Sequence, residues 1–311
     1  MILDCHLHYR KYPDHLPGGD ANAMVRSAKA MGQTEAQLRQ RADRSIERLL
    51  REMKESGTDK GIALGLKALT TNGSDIPNED IAEAVKPHAG KLYWGAAVVL
   101  TDASAPVEAE HCIKNLGAVA IGEVGPMYEH VRLDDPRCFR VYEVARSYDV
   151  PVMIHAGIVG ASMAGLKNGG DLSALDEVCL NFPELKVILC HFGHPYFHEA
   201  TDLMAKHANL YSDISGVPGR ARKPSAGVNA PPVFYPFAHA YEPFLIYFST
   251  PARNHNKLLW ATDVSVPKEH LEGFRNINPG LKQMGYPTIP EDRMEKILHE
   301  NWKPVFTKIK A

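Results

Sequence analysis

The chain has 311 residues, 44% of them apolar, with a formal charge of −2 and an isoelectric point near 6.7. That length suits one large α/β domain or two ordinary ones, and the balanced charge includes no basic block for nucleic acid and no acidic solvating arm. No run approaches the ~18 apolar residues of a membrane span, no basic segment precedes Ile2-Leu-Asp4 as in a signal peptide, and five scattered cysteines without a C-x-x-C pair fit a reducing compartment, so a cytoplasmic protein is expected.

The first stretch, Met1-Ile2-Leu3-Asp4-Cys5-His6-Leu7-His8-Tyr9, reads as a buried strand. On a regular strand Asp4, His6 and His8 share one face, with the two imidazoles roughly 6.6 Å apart along the chain. Such a pair can converge on one cation beyond the strand end; the alternative is a polar strand end with two incidental histidines. A polar stretch from Arg10 to about Arg44 follows, with a helix-like run around Ala21–Arg41, and reads as a loop insertion over the strand end. Ser45–Gly57 is an amphipathic helix ending at glycine.

From there strand and helix alternate. Strands are predicted at Gly61–Leu66, Leu92–Leu100, Ala118–Val124, Val150–His155, Lys186–His191, Leu210–Ile214 and Lys257–Asp263. Helices are predicted at Asn78–His88, Ala105–Leu116, Cys138–Tyr148, Leu172–Asn181, Phe197–His207, Tyr241–Ser249 and Glu291–Phe306. Short, continuous apolar strands are those of a parallel sheet covered on both faces. Eight such units predict a single (β/α)8 barrel over residues 1–311, and the absence of a Gly-x-Gly-x-x-Gly after any strand argues against a dinucleotide fold. A second insertion, Gly216–Ala240, is expected at the mouth after the seventh strand.

Barrel chemistry gathers where strands end. Those ends carry His6 and His8, Glu123, His155, His191 with His194 three residues on, and Asp263. All are potential metal ligands or acid–base groups, and their recurrence at one topological position predicts a metal site. The segments Asp4-Cys-His-Leu-His8, Val152-Met-Ile-His155, Ile188-Leu-Cys-His-Phe-Gly-His-Pro195, Leu259-Trp-Ala-Thr-Asp263 and Ile297-Leu-His-Glu-Asn-Trp-Lys-Pro-Val-Phe306 together resemble the amidohydrolase superfamily. They are most similar to its amidohydrolase-related branch, which holds the relatives of aminocarboxymuconate-semialdehyde decarboxylase. The resemblance implies a metal-bearing (β/α)8 barrel with His6, His8, His155 and Asp263 as ligands and His191 handling protons near the metal-bound water. Two departures stand out. The closing motif has Trp302 after Asn301 where the family usually has alanine, and Gly122-Glu-Val-Gly-Pro126 is untypical of the decarboxylases. It looks more like hydrolases of the superfamily, in which a strand-four glutamate can bridge two metals.

Three histidines and a carboxylate can hold a divalent ion with a position open for water, lowering its pKa towards neutrality. Zinc is expected first, with manganese and iron also suited to the donors. Asp263 would ligate or move a proton, and His191 would act as base or as a further ligand. Glu123 is either a bridging ligand or a substrate contact, and His194 a supporting or substrate-binding group. Asp4 either fixes a histidine ring or caps a turn. Arg10 beside the histidine pair suits a substrate carboxylate, as do Arg220, Arg222 and Lys223, whose alternative is a solvated basic loop. Tyr9, Phe234, Tyr235, Phe237 and Tyr241 could form an aromatic wall or simply pack within the insertions. Cys190 is expected to point away from the His191 side as a packing residue, and histidines 15, 88, 111, 130, 198, 207, 239, 255, 270 and 299 to face solvent.

The expected function is metal-dependent hydrolysis of a small carboxylate-bearing ester, lactone or amide, with Glu123 as the motivating residue. The alternative is a metal-dependent non-oxidative decarboxylase or hydratase of a small unsaturated or aromatic acid. A barrel that binds a ligand without turnover is the remote third. The expected partner is a small molecule rather than nucleic acid or a membrane, and the barrel exterior is compatible with a homodimer.

Overall fold

Eight short parallel strands form the frame of the computed structural model, which describes residues 1–157, 171–217, 241–251 and 254–310. They are β1 (Leu3–His8), β2 (Lys60–Leu64), β3 (Leu92–Ala96), β4 (Ala120–Val124), β5 (Val152–Ile154), β6 (Val187–Leu189), β7 (Leu210–Asp213) and β8 (Leu258–Leu259). Each pairs in parallel with the next in chain order. The ring closes where Cys5 N donates to Trp260 O at 3.1 Å and Asp263 N donates to His6 O at 2.7 Å. This is the expected (β/α)8 barrel, and no described helix is long and apolar enough to cross a membrane.

Two apolar layers hold it. The interior is filled by Leu3, Cys5, Ile62, Leu64, Ala120, Met153, Ile188, Cys190, Leu259 and Ala261, a packed core rather than a pore. Trp302, Val305, Phe306 and Ile309 join that core from the chain end. The last helix therefore stops at His299 rather than running to Phe306. Asn301 Nδ2 donates to Leu258 O at 2.9 Å and anchors the segment to β8. The unusual Trp302 is thus a buried plug. The outer core lies between strands and helices and includes Leu49, Met53, Ile81, Trp94, Val141, Val178 and Phe244.

The polar stretch after β1 holds two helices, Ala23–Ala30 and Glu35–Ala42, instead of one run. Gly32, at φ +69°, breaks the first, and a Thr34–Gln37 capping box starts the second. Leu16, Val25, Ala28, Leu38 and Ala42 give this stretch its own small core. Three further features were not foreseen: the hairpin of Lys67–Ala68 with Ser74–Asp75, the turn of helix at Pro126–Glu129, and helices Pro267–Arg275 and Ile277–Gln283 after β8. Most of the expected second insertion, with Arg220, Arg222, Lys223, Phe234, Tyr235, Phe237 and His239, lies outside the described residues.

Candidate metal centre

The strands do not deliver their polar side chains by simple alternation. The β1–β2 register shifts between Asp4 and Leu7. Leu3 and Cys5 lie in the interior core, yet His8 lines the cavity and the His6 ring packs against it at 5.0 Å, the phase change a bulge produces. The β4–β5 register shifts between Ile121 and Val124 around Glu123. His191 and Asp263 sit at φ +58° and +56°, in the left-handed region that few side chains adopt. Gly122 shows what this costs in sequence freedom. At φ +140° a Cβ there would lie 2.7 Å from both Cβ and O of Met153, so only glycine lets β4 bend Glu123 inward.

These departures bring six groups together. Glu123 is at the centre, 3% exposed. Its Oε1 accepts from His155 Nδ1 at 2.7 Å and lies 3.2 Å from His191 Nε2. Its Oε2 is 3.2 Å from His8 Nε2 and 3.9 Å from His6 Nε2. Asp263 Oδ1 lies 3.2 Å from His8 Nε2 and 3.8 Å from His6 Nε2. The nitrogens also face one another, His6 Nε2 to His8 Nε2 at 3.2 Å and His191 Nε2 to His155 Nδ1 at 3.1 Å.

Charge balance holds the cluster. Burial alone would raise the Glu123 carboxyl, but His155, His6 and the hydrogen bonds from His155 and His191 outweigh it and keep it well below the usual range. Burial opposes charge on His8 and His191 too, yet Asp263 and Glu123 raise His8 to about 9, and Glu123 foremost raises His191 to about 9. His155 is shifted down, first by burial. Neutral imidazoles and ionised carboxylates at this spacing are the donors a divalent ion takes. His6, His8 and Asp263 form one set with atoms within 4.8 Å of each other, and Glu123, His155 and His191 form another.

Asp213, at the end of β7, was missed although the strand-end rule that found the others applies to it. Its Oδ2 accepts from His6 Nδ1 at 2.9 Å. Its Oδ1 accepts from Ser215 Oγ at 2.5 Å, and Ser215 Oγ in turn accepts from His191 Nδ1 at 2.6 Å. One carboxylate thereby fixes the tautomer of two rings, turning both Nε2 atoms into the cluster. Asp4 does not have that task. It accepts from Thr262 Oγ1 at 2.6 Å and Thr262 N at 3.1 Å, locking β1 to the chain after β8.

A cavity of about 540 Å³ opens over the cluster, the size of a small-molecule site. His8, Glu123, His155, His191, His194 and Asp263 line it, with Tyr128, Leu66, Ile76, Met24 and Met31. Arg10 also lines it, with Nε donating to Ala42 O at 2.7 Å. Burial pushes its guanidinium down to about 10, still charged at neutral pH. Tyr9 contributes from behind, fully buried with its ring 5.5 Å from His15. Tyr241 is buried against Gly280, away from that lining. Three histidines expected at the surface are buried. His15 and His207 face Asp80 and Asp176, and His270 packs 5.2 Å from the Trp260 ring. Cys190 packs as expected but inside the barrel, its sulfur within 4.8 Å of the His6 and Glu123 ligand atoms. The left-handed turn at His191 lets both neighbours point inward.

The profile of the amidohydrolase family matches residues 3–301. No curated protein matches the chain. Similar solved structures include 5-carboxyvanillate decarboxylase LigW from Sphingomonas paucimobilis, 16% identical, with a TM-score of 0.65 over 98% of each chain. A probable 2-pyrone-4,6-dicarboxylic acid hydrolase from Acinetobacter baumannii with citric acid bound is 14% identical, with a TM-score of 0.64 over 98% of this chain and 99% of that one. A dihydroxybenzoic acid decarboxylase from Polaromonas sp. JS666, with bound manganese and 2-nitroresorcinol, is 16% identical, with a TM-score of 0.65 over 100% of this chain and 98% of that one. At these identities the likeness is one of fold. With the family profile spanning nearly the whole sequence, and the histidine and carboxylate cluster at the strand ends, the chain belongs to the amidohydrolase family.

Proposed function

We propose that this chain is a divalent-metal-dependent enzyme that removes a carboxyl group non-oxidatively from a small aromatic or unsaturated acid. The observation that carries metal dependence is the convergence of His8, Glu123, His155, His191 and Asp263 at the floor of one cavity, with His6 buried directly behind them. Support for decarboxylation over hydrolysis comes from the whole-length likeness to decarboxylases of aromatic acids and from an apolar wall of Leu66, Ile76, Met24 and Met31 suited to a flat ring. This reverses the order expected from sequence. Bound to the imidazole and carboxylate donors, a divalent ion would supply Lewis-acid grip on the substrate carboxylate and a neighbouring oxygen. Asp213 holds His6 and, through Ser215, His191 in the tautomer that presents Nε2 to the cavity. As the carbon–carboxyl bond breaks, its electron pair stays on carbon, carbon dioxide leaves, and a proton takes its place, either the Nε2 proton of the His191 imidazolium, whose pKa is raised to about 9, or one that the Asp263 carboxylate has first taken up from solvent. Zinc and manganese both suit the donors, and manganese is the ion in the Polaromonas decarboxylase.

Hydrolysis of an ester, lactone or amide is the second reading, and Glu123 favours it. A carboxylate 3.2 Å from His8 Nε2 on one side and 2.7 Å from His155 Nδ1 on the other stands where one residue could serve two ions. Asp263 Oδ1 would then take a proton from the attacking water and pass it to the leaving group.

Elemental analysis of protein purified without chelator, followed by a panel of hydroxybenzoic and unsaturated acids and a panel of lactones and esters, separates the two. About one ion per chain, with carbon dioxide release and deuterium entering at carbon in heavy water, is the expected result. Two ions with lactone or ester turnover and no carbon dioxide establishes hydrolysis instead. Turnover that survives complete metal removal overturns both.

A further inference from the structure

Asp263 is held from both sides of its own Cα. Its N donates to His6 O at 2.7 Å, and its O accepts from Arg44 Nη2 at 3.2 Å. The two soft dihedrals of a residue lie between those two peptide groups. The pair of bonds therefore pins the left-handed turn at φ +56°, which sets Asp263 Oδ1 3.2 Å from His8 Nε2. The first bond belongs to barrel closure. The second comes from outside the barrel, from the end of the polar stretch that follows β1.

Arg44 is poorly built for stability alone. It is 1% exposed and outside the cavity lining. Its Nε has no hydrogen-bond partner among the described residues. Glu52 Oε2 lies 3.4 Å from Arg44 Nη2, whereas Glu52 Oε1 is 2.8 Å from Arg48 Nε, so the carboxylate is more closely held by Arg48. A buried guanidinium compensated in this way returns little net stability, because its desolvation rivals its attraction. Its base is nevertheless rigid. Arg44 N donates to Arg10 O at 2.8 Å and Arg44 O accepts from Arg10 N at 3.1 Å. The side chain thus forms a strut from the end of β1, two residues past His8, to the turn that carries Asp263.

We propose that Arg44 is a positioning residue: by holding the Asp263 backbone in its left-handed turn, it keeps the Asp263 carboxylate aimed at the metal centre. The inference rests on the reading in which Asp263 is a donor to the ion, and it holds for decarboxylation and hydrolysis alike.

A double-mutant cycle on metal affinity tests it. Manganese is titrated back into the chelator-treated full chain, and the free ion is read by electron paramagnetic resonance. Arg44→Met should weaken binding by ~10-fold or more, with native far-ultraviolet circular dichroism. Asp263→Asn should weaken it further than that. In the Asp263→Asn background Arg44→Met should add no more than ~2-fold, since a residue acting through another has nothing left to position. Glu52→Gln removes an ion pair but keeps the bond from Arg44 to Asp263 O, and should leave affinity within ~2-fold. A role in stability alone gives a different pattern, with melting temperatures moving and affinities staying. If Arg44→Met does not fold, Arg44→Lys carries the same cycle, because a single ammonium lacks the fork that reaches Asp263 O.

Three results overturn the positioning role while leaving Asp263 as a donor: affinity lost in Asp263→Asn but kept in the Arg44 variant, an equal loss from the Arg44 variant in both backgrounds, or a loss in Glu52→Gln as large as in the Arg44 variant. Affinity unchanged in Asp263→Asn overturns the reading of Asp263 as a donor, and the inference with it.

Discussion

Asp213 Oδ2 accepts a hydrogen bond from His6 Nδ1 at 2.9 Å, with both side chains wholly buried. The bond leaves His6 Nε2 as the atom that meets Glu123, Asp263 and His8. Removing the charge from Asp213 leaves the ring less basic and less well oriented. Asp213→Asn should therefore lower metal affinity by ~10–100-fold while the far-ultraviolet circular dichroism stays native. A competitive chelator titration measures it, and an affinity within ~2-fold of the wild type would show that Asp213 serves packing only.

Glu123 sets the protonation of the metal-free cluster. His8 and His191 are raised to about 9, so their stabilising contribution is fully present below the ordinary histidine value and lost as pH rises through about 9. Metal-free protein should melt higher at pH 6 than at pH 9.5. In Glu123→Gln both histidines should titrate at lower pH, because burial remains while a carboxylate is gone. Proton NMR of the imidazoles reports this directly, and unchanged values would remove Glu123 from that role.

Gly122→Ala forces a Cβ against Met153 at φ +140°. Overpacking and the unfavourable backbone together should cost about 2–4 kcal/mol. Thermal unfolding measures the loss. The same variant should lose metal affinity, since Glu123 is the next residue. A fully stable, metal-competent Gly122→Ala would show that β4 can bend without glycine.

All five cysteines are buried and unpaired with one another. Burial pushes the thiols of Cys112, Cys138 and Cys179 up to about 12. Folded protein should resist a thiol reagent at pH 8, and five equivalents should react after unfolding. Because the folded thiols keep protons that the unfolded chain releases, stability should fall between about pH 9 and 12, by about 1.4 kcal/mol per pH unit per thiol. A triple Cys112→Ala, Cys138→Ala, Cys179→Ala variant should flatten that fall. Rapid labelling of native protein would contradict the packing.

The strand ends were legible because burial of parallel strands writes a continuous apolar code, and polar residues that interrupt it at one end stand out. His6, His8, Glu123, His155, His191 and Asp263 were found that way, and Asp213 was open to the same rule. Thr71 and Asn72, which also line the cavity, carried no such signal. They sit in a hairpin of two-residue strands whose polar residues resemble any loop. The single helix expected over Ala21–Arg41 failed because one glycine with a capping box redirects the chain.

Taken by itself, the sequence determined the kind of fold and the chemistry of its donors, since apolar periodicity and residue type are local properties. Only the tertiary structure decided where those donors meet. A strict two-residue alternation would put Cys5 and His6 on opposite faces, and likewise Cys190 and His191. The bulge in β1, the register shift in β4 and the left-handed turns at His191 and Asp263 break that alternation. Packing against neighbouring strands selects such backbone states against their local cost, and no residue announces them alone.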